Sequence, residues 1–137
     1  MGNFIIPTTY EEARRMGVYW DWSNTLHQII QDRARNIAIK LLKRGVSVEN
    51  VYEMVGLSEE EQKLKRADYW ERICAAIDDK NTEITACIRV IINERICEIA
   101  KKLVVKRKNI SLTIDDIATI TGLPKEQIEQ LKSNYEL

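Results

Sequence analysis

Leu26, Ile30, Ala34, Ile37 and Leu41 recur at spacings of four, four, three and four, and Ile88, Ile92, Ile96, Ile99 and Leu103 repeat nearly the same rhythm later in the chain. Such a stripe predicts an amphipathic helix that buries one face. Ile29 and Ala38 widen the first stripe, so both helices belong in a core. No stretch alternates convincingly with the period of two that marks a strand.

The two stripes sit in copies of one stretch. Residues 28–42 read QIIQDRARNIAIKLL and residues 90–104 read VIINERICEIAKKLV, with seven identities in fifteen positions: Ile29/Ile91, Ile30/Ile92, Arg33/Arg95, Ile37/Ile99, Ala38/Ala100, Lys40/Lys102 and Leu41/Leu103. About one identity is the chance level, so this is an internal repeat. Similar punctuation follows each copy. Gly45 is placed to stop the first long helix, Ser47 to cap a short helix over Val48–Val55, and Gly56-Leu57 to turn the chain. Ser58 then caps a helix reaching about Asp78, with Glu59, Glu60 and Glu61 in its first turn. After the second copy, Lys106-Arg107-Lys108-Asn109 ends the long helix, Thr113 caps Ile114–Thr121, Gly122-Leu123 turns, and Pro124 opens a last helix ending near Tyr135.

Upstream, Met1–Ile6 reads as an apolar arm. Thr8 or Thr9 caps a short helix that Gly17 ends, and Ser23 or Asn24 caps the first long helix. Asn81 or Thr82 starts the second. The expected fold is all-α, with about seven helices in two tandem units, each a long helix plus a helix-turn-helix-like pair. Residues 1–22 form an arm and short helix, 23–78 the first unit and 79–137 the second, around one shared core. The long helices are expected to pack antiparallel about a pseudo-twofold axis.

Composition narrows the function classes. The chain has 137 residues, enough for one modest core, and Lys+Arg and Asp+Glu both total 21, so it lacks the basic excess of most stand-alone nucleic-acid binders. Cys74, Cys87 and Cys97 lie in apolar helical patterns without CxxC spacing, which reads as buried free thiols in a reducing compartment. Neither a signal peptide nor a membrane helix is expected, and a cytoplasmic location is.

The strongest local motif runs from Ile114 to Ile128. Ala118 is small where two helices must approach, Gly122 tolerates a left-handed turn four residues on, and Ile128 and Leu131 anchor the second helix; this is helix-turn-helix spacing. Reading DNA is a separate claim. Lys125 and Gln127 are the candidate base-reading residues, and Lys106, Arg107 and Lys108 the candidate phosphate contacts, but Glu126 and Glu129 compete with them. The first unit is worse suited, with three glutamates where phosphate contacts would begin and Tyr52 in place of the small contact residue.

Other candidates are few. The repeated Arg33 and Arg95 lie between apolar rows and are expected to pair with Asp32 and Glu94 across the long helices; binding an anion there is the alternative. Tyr19, Trp20 and Trp22 form a cluster that reads either as a core lid or as a partner-binding anchor. His27 is the only histidine, no His/Cys cluster has metal-ligand spacing, and no Gly-rich phosphate loop exists. Glu61-Gln62-Lys63 and Asp78-Asp79-Lys80 match the carboxylate-x-Lys ending of a nuclease site, but they fall on or beside helices rather than on the strand such a site needs. No catalytic residue, metal or cofactor is expected.

The run from Ala38-Ile39-Lys40-Leu41-Leu42-Lys43-Arg44-Gly45-Val46-Ser47-Val48-Glu49 through Val55-Gly56-Leu57-Ser58-Glu59-Glu60, and again residues 100–131, resembles the C-terminal helical tail of recombination-promoting nucleases and related PD-(D/E)XK transposase-like proteins. The resemblance covers about half the chain as two copies. No part of that family's nuclease core is matched, so no catalytic residue carries over. What the resemblance implies is a phage or mobile-element setting and a tail that works by association, through dimerisation or by binding and inhibiting a larger nuclease. The leading expectation is a non-enzymatic interaction protein that regulates or inhibits a protein partner. A helix-turn-helix DNA-binding regulator ranks second, and a binder of a small anionic ligand third.

Overall fold

Capping chemistry sets most helix ends in the computed structural model, which describes residues 10–79 and 83–135. The first long helix, α1, spans Tyr10–Lys43. Gly45 follows it in the left-handed region at φ +87. There Gly45 N–H donates to Leu42 O at 3.0 Å and Val46 N–H to Leu41 O at 3.2 Å, the paired bonds of a Schellman stop. Helix α2 covers Val48–Val55 under the Ser47 cap, and α3 covers Glu59–Asp78 behind a capping box between Ser58 and Glu61. The second long helix, α4, spans Ile84–Lys106. Helix α5, Ile114–Thr121, starts at a capping box between Thr113 and Asp116, and α6 is Lys125–Tyr135.

The described residues are thus helical without strands, and they hold six helices rather than about seven. The difference lies at Gly17, Ser23 and Asn24. Gly17 does not end a helix; α1 runs through all three positions. A helical glycine costs about 1 kcal/mol relative to alanine, and nothing in that cost obliges the chain to leave the helix. Beyond Gly17 the helix carries Trp22 and Leu26 into a core, and fully burying a side chain such as Leu26 is worth about 1.5–3 kcal/mol. The apolar arm Met1–Ile6, the Thr8 and Thr9 caps and the Asn81 or Thr82 start lie outside the described residues. Glu83 takes the cap position of α4 and makes no side-chain cap bond.

Two apolar clusters hold the helices. The larger joins Ile37 and Leu41 of α1, Met54 of α2, Ile96, Ile99 and Leu103 of α4, Ile117 and Ile120 of α5, and Ile128 of α6. The smaller joins Leu26 and Ile30 of α1, Tyr69 and Ile73 of α3, and Ile88 and Ile91 of α4. Ile92 packs against both.

The helix after each glycine takes a different course. Helix α6 packs back on α5 and α4, whereas α3 packs on α1 and α4 and does not touch α2. Backbone geometry accounts for part of this. Gly122 is left-handed at φ 76 and folds the chain back. Gly56 stays extended at φ −71, ψ 156 and sends the chain away. A Cβ on Gly56 would come within 2.6 Å of Tyr52 O and 2.8 Å of the Tyr52 ring. Anchor residues account for the rest. Ile128 and Leu131 are buried on α6; the corresponding residues of α3 are Gln62 and Lys65, so α3 buries Tyr69, Ile73 and Ala76 farther along instead.

Candidate functional site

Because α3 starts with polar residues and packs only from Tyr69 onward, a cleft opens between its first turns and α1. The cleft has a volume of about 270 Å3. His27, Gln31 and Arg35 line it from α1, Gln62, Lys65 and Arg66 from α3, and Arg95 from α4. Ile30, Ala34, Val55, Leu57 and Tyr69 supply its apolar surface, and no carboxylate is among the lining residues.

Arg95 is the fixed point of the cleft. It is only 3% exposed, and its Nη2 donates to Val55 O at 2.7 Å. Val55 is the last residue of α2, so the guanidinium meets the negative end of that helix dipole and satisfies one of its terminal carbonyls. Glu98 holds Lys65 at 2.8 Å and lies 3.5 Å from Arg95. Gln62 Nε2 donates to Leu57 O at 3.0 Å and pins the entry to α3. Burial, and then the charge of Arg66, lower the His27 pKa. Burial raises that of Tyr69, against the pull of Arg95.

Residues singled out from the sequence have other places. Arg33 and Arg95 line different clefts: Arg33 is exposed beside Arg89, Ile92, Asn93 and Ile96. Their expected pairing with Asp32 and Glu94 does not occur. Asp32 accepts from Gln28 at 3.1 Å. Glu94 takes a two-pronged bond from Arg72 at 2.5 and 3.1 Å, which lowers its pKa. Arg72 rides on α3, whose path the sequence pattern did not reveal.

The aromatic cluster turns partly inward. The Tyr19 ring meets Trp70 edge-on, with centroids 6.2 Å apart, and its hydroxyl donates to Asp78. Trp22 is half-buried against the smaller cluster. Trp20 lies on α1, and its side chain falls outside the described residues.

On α6, Lys125 is bonded to Asp115 at 3.0 Å, which raises its pKa. Gln127 Nε2 donates to Cys97 Sγ at 3.0 Å and joins α6 to α4. Lys106 pairs with Glu53 of α2, Arg107 donates to Val104 O at 2.6 Å, and Lys108 is exposed. The three cysteines are free and half-buried, and burial raises the pKa of Cys74 and Cys97. Among the described residues no group of three or more His, Cys, Asp or Glu side chains is placed to hold a metal ion, and no helix is long and apolar enough to cross a membrane.

Arg35, Lys65 and Arg66 were not singled out from the sequence. The signal lay in the sequence alignment of the two stretches, which sets Gln62 and Lys65 against the buried Ile128 and Leu131. Polar residues at two anchor positions in succession foretell a helix that docks elsewhere. No protein-family model, curated protein or solved structure matches the chain.

Proposed function

We propose that the chain is a non-enzymatic interaction protein that regulates or inhibits a protein partner, in the phage or mobile-element setting its resemblance implies, and that it docks through the outer face of α2. One observation carries this reading. Val48 and Tyr52 lie one turn apart on α2 and are 72% and 65% exposed. Their counterparts Ile114 and Ala118 on α5 pack against the larger core. Because α3 diverges, the α2 face is left open in the half where a second helix would otherwise return. A tyrosine at the centre of such a face is the residue type that dominates interfaces. Tyr19 and Trp22 already serve the fold, so the anchor role moves from the aromatic cluster to α2.

The test is capture from the native host with wild type and a Val48→Lys/Tyr52→Lys variant, both checked for helicity and melting temperature. Proteins retained by wild type and lost by the folded variant support the reading. Identical capture by both overturns it.

Two parts of the architecture belong to the same proposal. The long helices are arranged about a pseudo-twofold axis, a reading supported by reciprocal contacts: α1 meets α5 and α4 meets α2. Arg44, just past the end of α1, pairs with Asp116 of α5, and Lys106 at the end of α4 pairs with Glu53 of α2. The α5–α6 pair is a helix-turn-helix, supported by the left-handed Gly122 and the buried Ile128 and Leu131. DNA binding through it remains the second reading, weakened by the internal bonds of Lys125 and Gln127. A gel shift at low salt that survives competitor DNA and falls with Lys125→Ala and Gln127→Ala reverses this order.

A further inference from the structure

Several equivalent positions in the two halves differ in chemistry around the cleft between α1 and α3. Where the second half has Ile128, Leu131 and Cys97, the first has Gln62, Lys65 and Arg35. Packing chemistry is replaced by polar and cationic chemistry around an open space of about 270 Å3. A cleft that served only to separate two helices would gain nothing from this, because like charges gathered in one place repel and the buried Arg95 gives up hydration.

The cations come from three helices: Arg35 on α1, Lys65 and Arg66 on α3, and Arg95 on α4. Lys65 and Arg95 share the single carboxylate of Glu98. Arg35 and Arg66 have no ion pair among the described residues. Arg95 is held by Val55 O, so one guanidinium is positioned in advance of any ligand.

We propose that this cleft binds a phosphate group, either free or carried by a small organic ligand. A dianionic oxyanion matches the chemistry better than a single carboxylate does. Two unpaired arginine forks can grip neighbouring oxygens, and more than one positive charge is left to balance. Ile30, Ala34, Leu57 and Tyr69 give an organic body an apolar surface to lie on. The lowered His27 pKa reflects a nearby Arg66 charge as well as burial, and an anion seated in the cleft relieves that repulsion.

This site does not depend on docking at α2. The full chain is titrated with inorganic phosphate and with phenyl phosphate, against sodium chloride at matched ionic strength, by thermal shift and amide NMR. Phosphate is expected to raise the melting temperature beyond chloride and to shift amides of α1 and α3 around the cleft. Arg35→Ala/Arg66→Ala is expected to weaken phosphate binding about tenfold or more. Arg33→Ala/Arg89→Ala, which removes equal charge outside the cleft, is expected to leave it within about twofold. Should the double cleft variant unfold, Arg66→Gln alone gives the same comparison. Tighter binding of phenyl phosphate supports a ligand with an organic body, and equal binding supports free phosphate. A phosphate response no larger than that of chloride, or equal losses in the two double variants, overturns the site.

Discussion

Ser111 carries the strain that Gly45 avoids. It is the one non-glycine residue with positive φ among the described residues, at 56°, and it occupies the position that Gly45 holds after α1. A left-handed non-glycine residue costs roughly 1–2 kcal/mol, part of which glycine returns through a more flexible unfolded chain. Ser111→Gly is therefore expected to stabilise the protein by about 0.5–1 kcal/mol, and Gly45→Ala to destabilise it by about 1 kcal/mol, both read from urea unfolding. Arg95 carries more. Arg95→Ala removes a charged bond to the Val55 carbonyl and is expected to cost roughly 2–3 kcal/mol, with the largest loss of hydrogen-exchange protection in α2. His27 sets a pH dependence. Its pKa is lowered from 6.5 in the folded protein, so the unfolded chain binds the proton more readily. The contribution from His27 is present above pH 6.5 and declines as pH falls below it. Comparing melting temperatures at pH 7.5 and 5.5 in wild type and His27→Gln isolates that slope; equal slopes sink the assignment.

At the scale of elements, helix existence was legible because caps and stripes are local. Ser47, Ser58, Thr113, Gly45 and Gly122 each act within a few residues, and the structure uses all five as helix boundaries. Gly17 was misleading for the same reason: a glycine has the same local propensity whether or not the helix beyond it finds a core. The path of α3 was hidden because it depends on what Gln62 and Lys65 fail to bury and on what Tyr69 and Ile73 bury against α1 and α4. The cleft inherits that obscurity, since its four cations come from segments far apart in sequence. Anchor strength on α6 is directly testable. Ile128 is fully buried, and Ile128→Ala is expected to cost about 2–5 kcal/mol, several times the effect of Gln127→Ala on the rim.

At the scale of the whole molecule, the two clusters should differ in stability. The larger draws on five helices and the smaller on three, and among the described residues only Ile92 of α4 packs against both. Regions with fewer buried apolar contacts open at lower free energy. Native-state hydrogen exchange is expected to show α3 opening before α4 and α5, and the slowest amides in the middle of α4. Uniform exchange across the six helices would contradict a two-cluster organisation.

The bond from Arg95 to Val55 also has a consequence in time. Its partners are 40 residues apart, and synthesis at about 5–20 residues per second separates their appearance by roughly 2–8 s. During that interval α2 has neither the guanidinium at its end nor the face of α4 beneath it. The first half leaves the ribosome with α2 supported by α1 alone, and it reaches its final packing only when α4 arrives to complete it.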